Sequence, residues 1–419
     1  MQRAIGTSLG WLAVAILTCL AVEVGRAQAQ PEEPRTPPRA ARSITNADQV
    51  AVGKIRAKLV EMRAETKKVL LSGEINESSK TVLQKYVALR LDVMKAPGAL
   101  NELPSEREII KRDLRRVGGA LDTEKKGLAY MNQVLLALLQ EIVWDPDANR
   151  HAAVRFNCML IIGDLNSREL ALGGGGTAVP LAEAVPILMK ALNDPAMNDA
   201  VKVAALVGLR RHAELGIADK LTEKQVVTDL LKLLGAKQTP TNRSEEAHVL
   251  FRRRAAELLG LIGRPGIEQL RSDVVDALLA ILSDPTQPLN LRSAVARALG
   301  RFPFKAPGPN QETLAALGSL AVEATKLETS KIGYKHYFRS VQLALKGPEG
   351  QPDPPQRGMV HNLGPAQKKF VDELTKMLDD LWKASDKAVD DLQLHARMKA
   401  DGAKLGEFLK QPAAAATGG

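Results

Sequence analysis

The sequence predicts an all-α fold: an α-solenoid of paired helices with helical caps at its N- and C-terminal ends. Three observations predict it. A short phrase returns five times, an apolar helical segment precedes each copy, and aromatics make up only 3% of the chain while alanine and aliphatics abound. Small side chains suit helices that pack closely. At 419 residues the chain is too long for one small core and fits one elongated array with flanks.

The phrase begins at Val154, Val201, Phe251, Leu291 and, in a worn copy, Phe338, so successive starts are 47, 50, 40 and 47 residues apart. Positions 1, 5, 8 and 9 of the first four copies are apolar or small. That spacing places them on one face of a helix. Position 5 is Cys158, Ala205, Ala255 or Val295, small enough for a neighbouring helix to approach, whereas the fifth copy has Gln342 and is expected to pack less well. The preceding segments are 134–143, 185–192, 226–234, 274–282 and 314–324. Three intervening turns carry Asp-Pro: Asp145-Pro146, Asp194-Pro195 and Asp284-Pro285. Proline stops the first helix and the Asp can cap the turn that follows. The 50-residue gap is explained by a polar insertion, 235–244.

Periods of about 40–47 residues are the signature of helical arrays. The turn Asp, the hydrophobic-cation pair at positions 1 and 2, the small position 5 and the closing Leu-Gly resemble the HEAT and HEAT-like (bilin-lyase-type) repeat family over residues 121–346. The resemblance implies stacked helix pairs. It also implies a structural role for the cations at position 2, Arg155, Lys202, Arg252, Arg292 and Arg339, as ties to turn aspartates such as Asp194 and Asp284. The other reading of that ladder is an anion-binding strip. The family's tasks are too diverse to carry a function over.

The flanks read in order. Residues 1–29 have the basic start (Arg3), apolar core (9–22) and A-x-A site of a secretory signal, with cleavage after Ala29. The apolar run is 14 residues, shorter than the roughly 17–25 of a membrane span. The expectation is an exported protein, periplasmic or extracellular, with no membrane span after cleavage; the alternative is tethering by an uncleaved N-terminal anchor. Residues 30–45 are a Pro-rich tether. Residues 46–120 form a helical region: a seam Val52, Ile55, Leu59, Met62, Thr66, Val69 ended by Gly73; a helix over about 79–94; and a third starting at a capping box, Ser105-Glu106-Arg107-Glu108, and stopping at Gly118-Gly119. The seam reads as an intramolecular cap or a dimer contact. Residues 347–364 are a Pro/Gly linker. Residues 365–411 are a helical hairpin, the second helix over about 387–409, that docks on the array or binds a partner; 412–419 are a disordered tail.

No catalytic, cofactor or metal site is expected. The six histidines have no zinc or haem spacing, and His212-Ala213-Glu214 is misspaced for the dyads of di-iron HEAT-like hydroxylases. Gly173-Gly174-Gly175-Gly176 lacks the Lys-Ser/Thr of a phosphate loop. Cys158, the one cysteine left after cleavage, reads as an alanine substitute in the core. Trp144 beside Asp145 is the one hint of an enzyme cleft of lyase or glycosylase type, and packing at a helix end explains it as well.

The net charge of +10 falls to +9 with the signal removed, and Arg115-Arg116, Lys125-Lys126, Arg210-Arg211 and Arg252-Arg253-Arg254 add local positive charge. Aromatics for base stacking are scarce, so nucleic acid is not expected. An acidic protein, an anionic envelope polymer or a membrane surface fits better. The expectation is a non-catalytic protein-protein interaction scaffold.

Overall fold

The computed structural model describes residues 44–119, 126–145, 151–170, 177–262, 268–302, 304, 309–348, 357–361 and 363–410. The signal, nearly all of the tether, the four-glycine run and the tail lie outside these residues. The chain divides after Asn46, and everything below concerns the unit from Ala47 onward. The fold is all-α, 78% helical, with sixteen helices among the described residues.

The N-terminal helices are α1 (Asn46–Glu61), α2 (Arg63–Ser72), α3 (Glu77–Lys95) and α4 (Leu103–Gly118). The seam is split between α1 and α2 at Met62, and Val52, Leu59, Thr66 and Val69 are buried. Gly73 closes α2 in the left-handed region (φ 70°), its N–H donating to the Val69 carbonyl. Asn76 caps α3, its side chain accepting from the Ser79 N–H. The capping box at 105–108 does not form. Pro104, free of an N–H to satisfy, starts α4 earlier. Glu106 is thereby turned inward, where it takes Arg90 at 3.1 Å.

Five helix pairs follow: α5 (Lys126–Val143) with α6 (Ala152–Asp164), α7 (Ala184–Asn193) with α8 (Asp199–Leu215), α9 (Lys220–Gly235) with α10 (Glu245–Ile262), α11 (Glu268–Ser283) with α12 (Leu289–Leu299), and α13 (Gln311–Thr325) with α14 (Lys331–Lys346). Positions 1, 5, 8 and 9 of the first four copies are buried throughout. Each fully buried Leu, Phe or Val among them contributes about 1.5–3 kcal/mol. The second helix of each pair packs on the second helix of the next: α6 on α8, α8 on α10, α10 on α12, α12 on α14. The succession starts earlier than the sequence suggests, since α4 packs on α6 and α3 on α5.

These helices approach closely at glycines near the end of the phrase. A methyl group on Gly163 would sit 2.5 Å from the Gly208 Cα. On Gly260 it would sit 2.8 Å from the Ala298 Cα, and on Gly300 it would strike the Leu343 carbonyl. Only a residue without Cβ fits there. One element was not expected: a short antiparallel pairing, β1 (Asn166–Arg168) with β2 (Val179–Pro180), between α6 and α7.

At the C-terminal end α15 (Pro365–Lys387) packs on α14, and α16 (Asp391–Leu409) packs on α13. The break falls at Ala388, and Asp390 caps α16 by accepting from the Gln393 N–H, so the second helix begins later than about 387. Gln342, the misfit at position 5, donates to Asp379 of α15 at 2.8 Å. The fifth copy is polar there because it meets the hairpin.

Candidate interaction surface

The cations at position 2 are not free for ligand. Arg292 is 1% exposed; its Nε donates to the Leu282 carbonyl at 2.9 Å and its Nη1 to both Glu323 oxygens at 2.8 and 2.7 Å. Arg252 donates from Nε to the Leu234 carbonyl and from Nη2 to the Gln287 amide oxygen. Arg155 donates to the Asp145 carbonyl at 2.6 Å. A helix leaves its last carbonyls unpaired and carries partial negative charge there, so a guanidinium is well placed. For Arg155, Arg252 and Arg292 these ties run to main-chain oxygens at the end of the partner helix. Asp284 accepts from the Gln287 amide at 2.9 Å and acts on Arg252 through its charge. Its own turn, with Thr286 and Gln287 donating, holds that carboxyl down at about 2. Lys202, 8% exposed, has its pKa lowered by burial and then by Arg243, with Asp199 and Asp194 opposing. Arg339 is half-buried on α14.

The chemical candidates do not converge. Trp144 donates its indole N–H to Asp194 of the next pair at 3.1 Å, and Lys190 stands over its ring, so it ties two layers together. Cys158 is buried. His151 caps α6, His395 meets the Tyr334 hydroxyl at 2.9 Å, and His248 donates from Nε2 to the Ala236 carbonyl. Among the described residues no group of three or more His, Cys, Asp or Glu side chains could hold a metal ion. No described helix is long and apolar enough to cross a membrane. A cleft of about 290 Å³ lies between α15 and α16, with Met377 and Leu381 at its base and Lys383, Lys387 and Arg397 around it. Its Asp401 already takes Lys404 at 2.8 Å and Arg397 at 3.9 Å.

What the structure does assemble is a surface. Position 7 of the phrase is at least partly exposed on four second helices and position 3 on α6, α8 and α10, whereas position 3 on α12 is the fully buried Ser293. On α6 they are Phe156 and Leu160, and on α8 Val203 and Val207, with Val207 44% exposed. On α10 they are Arg253 and Glu257, and on α12 position 7 is Arg297. Arg254 donates to Glu257 at 2.7 Å, and Arg297 lies 4.0 Å from the same carboxylate. Arg210 pairs with Glu214 at 2.9 Å on the exposed side of α8. Burial lowers the Arg297 pKa; Glu257 opposes, while Arg253, Arg254 and Arg210 add to the lowering. Four guanidiniums on three successive helices thus share one field.

No protein-family model matches the chain, and no curated protein matches it. The surface has to be read from its own residues.

The basic runs seen in the sequence divide once folded. Arg210, Arg253 and Arg254 come together. Arg211 turns inward to the Gly163 carbonyl at 3.2 Å and to Asn166, and Arg252 is consumed as a helix cap. Arg116 pairs with Asp113 at 3.0 Å. Lys125 lies outside the described residues. Arg297 was missed because it stands alone in sequence. Its repeat position, equivalent to Leu160, Val207 and Glu257, was the signal that could have found it.

Proposed function

We propose that the protein is a non-catalytic protein-protein interaction scaffold, an exported HEAT-like α-solenoid that presents the outward face of its second helices to a partner. The observation that carries this reading is the face itself. Position 7 on α6, α8, α10 and α12 stays at least partly exposed, Val207 the most, while positions 1, 5, 8 and 9 are consumed in packing. Repetition of that kind supplies a surface longer than any single helix offers. The recurring cations serve the stack, which leaves the outward residues as the ones that vary between copies. Export rests on the signal-like residues 1–29.

The test is a pull-down of the mature chain from the host's extracytoplasmic fraction. A specific protein partner is expected. Recovery of none, or localisation of the tagged protein to the cytoplasm, argues against the reading.

A further inference from the structure

Helices α1 and α2 run on from one another. The Met62 N–H donates to the Lys58 carbonyl at 3.2 Å and the Thr66 N–H to the Met62 carbonyl at 2.9 Å, so the helical phase is kept across the junction. Together they are about 40 Å long. The seam from Val52 to Val69 faces the body of the protein, where α2 packs on α3 and α4 and Arg56 of α1 pairs with Glu102.

A second seam runs two residues out of step with the first, which places it about 200° around the helix. It reads Val50, Gly53, Ala57, Val60, Ala64 and Leu71. All six are exposed, and Val50, Val60 and Leu71 are each more than half exposed. Apolar residues at alternating steps of three and four mark a helix that has another helix laid against it. The space over Gly53 is empty: a methyl group there would meet nothing within 4 Å. Glycine weakens a helix, and nothing in the described chain comes near enough to require one. A helix from outside the chain would. Along one edge of this seam stand Lys54, Glu61 and Lys68, exposed and alternating in charge. None of the three makes an ion pair or a side-chain hydrogen bond among the described residues.

We infer that this face pairs two copies of the protein, α1 and α2 of one lying antiparallel against α1 and α2 of the other. Charge selects the occupant. About a two-fold axis midway between positions 54 and 61, each Lys54 stands beside Glu61 of the other copy, so the attraction occurs twice. Sliding one copy by seven residues either way brings Lys54 onto Lys54 or Glu61 onto Glu61. A parallel pair sets Arg63 against Lys68. The antiparallel register also fits by size. It lays Val60 against Ala57 of the other copy and Gly53 against Ala64, which lets the helices approach closely. Lys67, the remaining position of the seam, covers Val50 with its stem and keeps its ammonium in water. A stripe about 40 Å long and about 10 Å wide offers about 400 Å² per copy before its flanks are counted, the small end of specific interfaces. A dissociation constant in the micromolar range is expected.

The test is sedimentation equilibrium of the mature chain over concentrations that bracket that range. The mass should rise from monomer to dimer. Gly53→Leu fills space that is open in a single copy, so it should keep the monomer folded and abolish the dimer. K54E and E61K each set like charges together twice and should weaken pairing about tenfold, whereas K54E/E61K should restore it. K383E/K387E, a charge reversal on α15, should leave it unchanged. Circular dichroism of each variant separates loss of pairing from loss of fold.

A monomer at every concentration, a dimer that G53L leaves intact, or a double variant as weak as its parents overturns the inference. So does binding to anionic vesicles by a chain that stays monomeric, which would make the face a membrane contact. The scaffold reading stands or falls on its own pull-down, whichever mass is found.

Discussion

Gly163 on α6 and Gly208 on α8 face each other with no room for a side chain between them: a methyl group on Gly208 would lie 2.9 Å from the Gly163 Cα. Gly163→Ala must push two whole helices apart, because the obstructing atoms are backbone and cannot rotate away. Overpacking of this kind costs about 1–3 kcal/mol. Urea denaturation of the variant should show a lowered midpoint, and a midpoint equal to wild type would mean the two helices slide freely.

Arg292 ties three elements at once: its own α12, the end of α11 through the Leu282 carbonyl, and α13 through Glu323. Arg292→Met keeps most of the volume and removes every donor. Glu323 is a third exposed and recovers water, so the expected loss is about 1–3 kcal/mol rather than the full penalty of a buried ion. Chemical denaturation measures it, and amide exchange should locate the loosening in α11 to α13.

Lys202 is the one lysine among the five cations. Its ammonium cannot form the fork that Arg252 and Arg292 use. Lys202→Arg should give α7 the carbonyl cap its counterparts have and raise stability by about 1 kcal/mol. A drop in thermal midpoint would mean that the neighbouring Arg243 leaves no space for a second guanidinium.

His212 is 2% exposed, and burial, with Arg211 adding to it, pushes its imidazole down to about 4. The unfolded chain takes up the proton near the ordinary value of about 6.5, the folded chain only near 4. This contribution is therefore complete above pH 6.5 and is lost as pH falls from about 6.5 to 4, by about 3 kcal/mol. Urea titrations across that window should show a steeper loss in wild type than in His212→Leu; parallel curves would place the acid sensitivity elsewhere.

The C-terminal hairpin can be tested at Gly402, where a methyl group would lie 2.7 Å from the Thr325 Cβ. Gly402→Val should lift α16 off α13. Hydrogen exchange should then rise in α13 and α16 while α6 to α10 keep their protection.

The sequence announces most of the fold because burial at positions 1, 5, 8 and 9 repeats with the helix period, and Gly73 marks a helix end by its own conformational freedom. Other features depend on contacts no single segment encodes. The 166–168 and 179–180 pairing is too short for an alternating pattern to register. Pro104 outcompeted a well-formed capping box because position and not composition decides which start is used. The main-chain ends of the arginine ties were not legible, since main-chain oxygens carry no letter in a sequence. The second-helix surface was half legible: Arg210, Arg253 and Arg254 stood out as runs, but Val207 was hidden in an apolar stretch and Arg297 stood alone.

Arg252 and Arg292 each fasten the helix behind them and also reach ahead, to Gln287 and to Glu323. The joints of the stack consequently overlap like roof shingles, and no layer ends cleanly where the next begins. Excising one pair would strip a fastening from the pair left standing beside the gap. Shortening or lengthening this protein by whole units therefore calls for cuts placed so that a guanidinium and both of its anchors travel together.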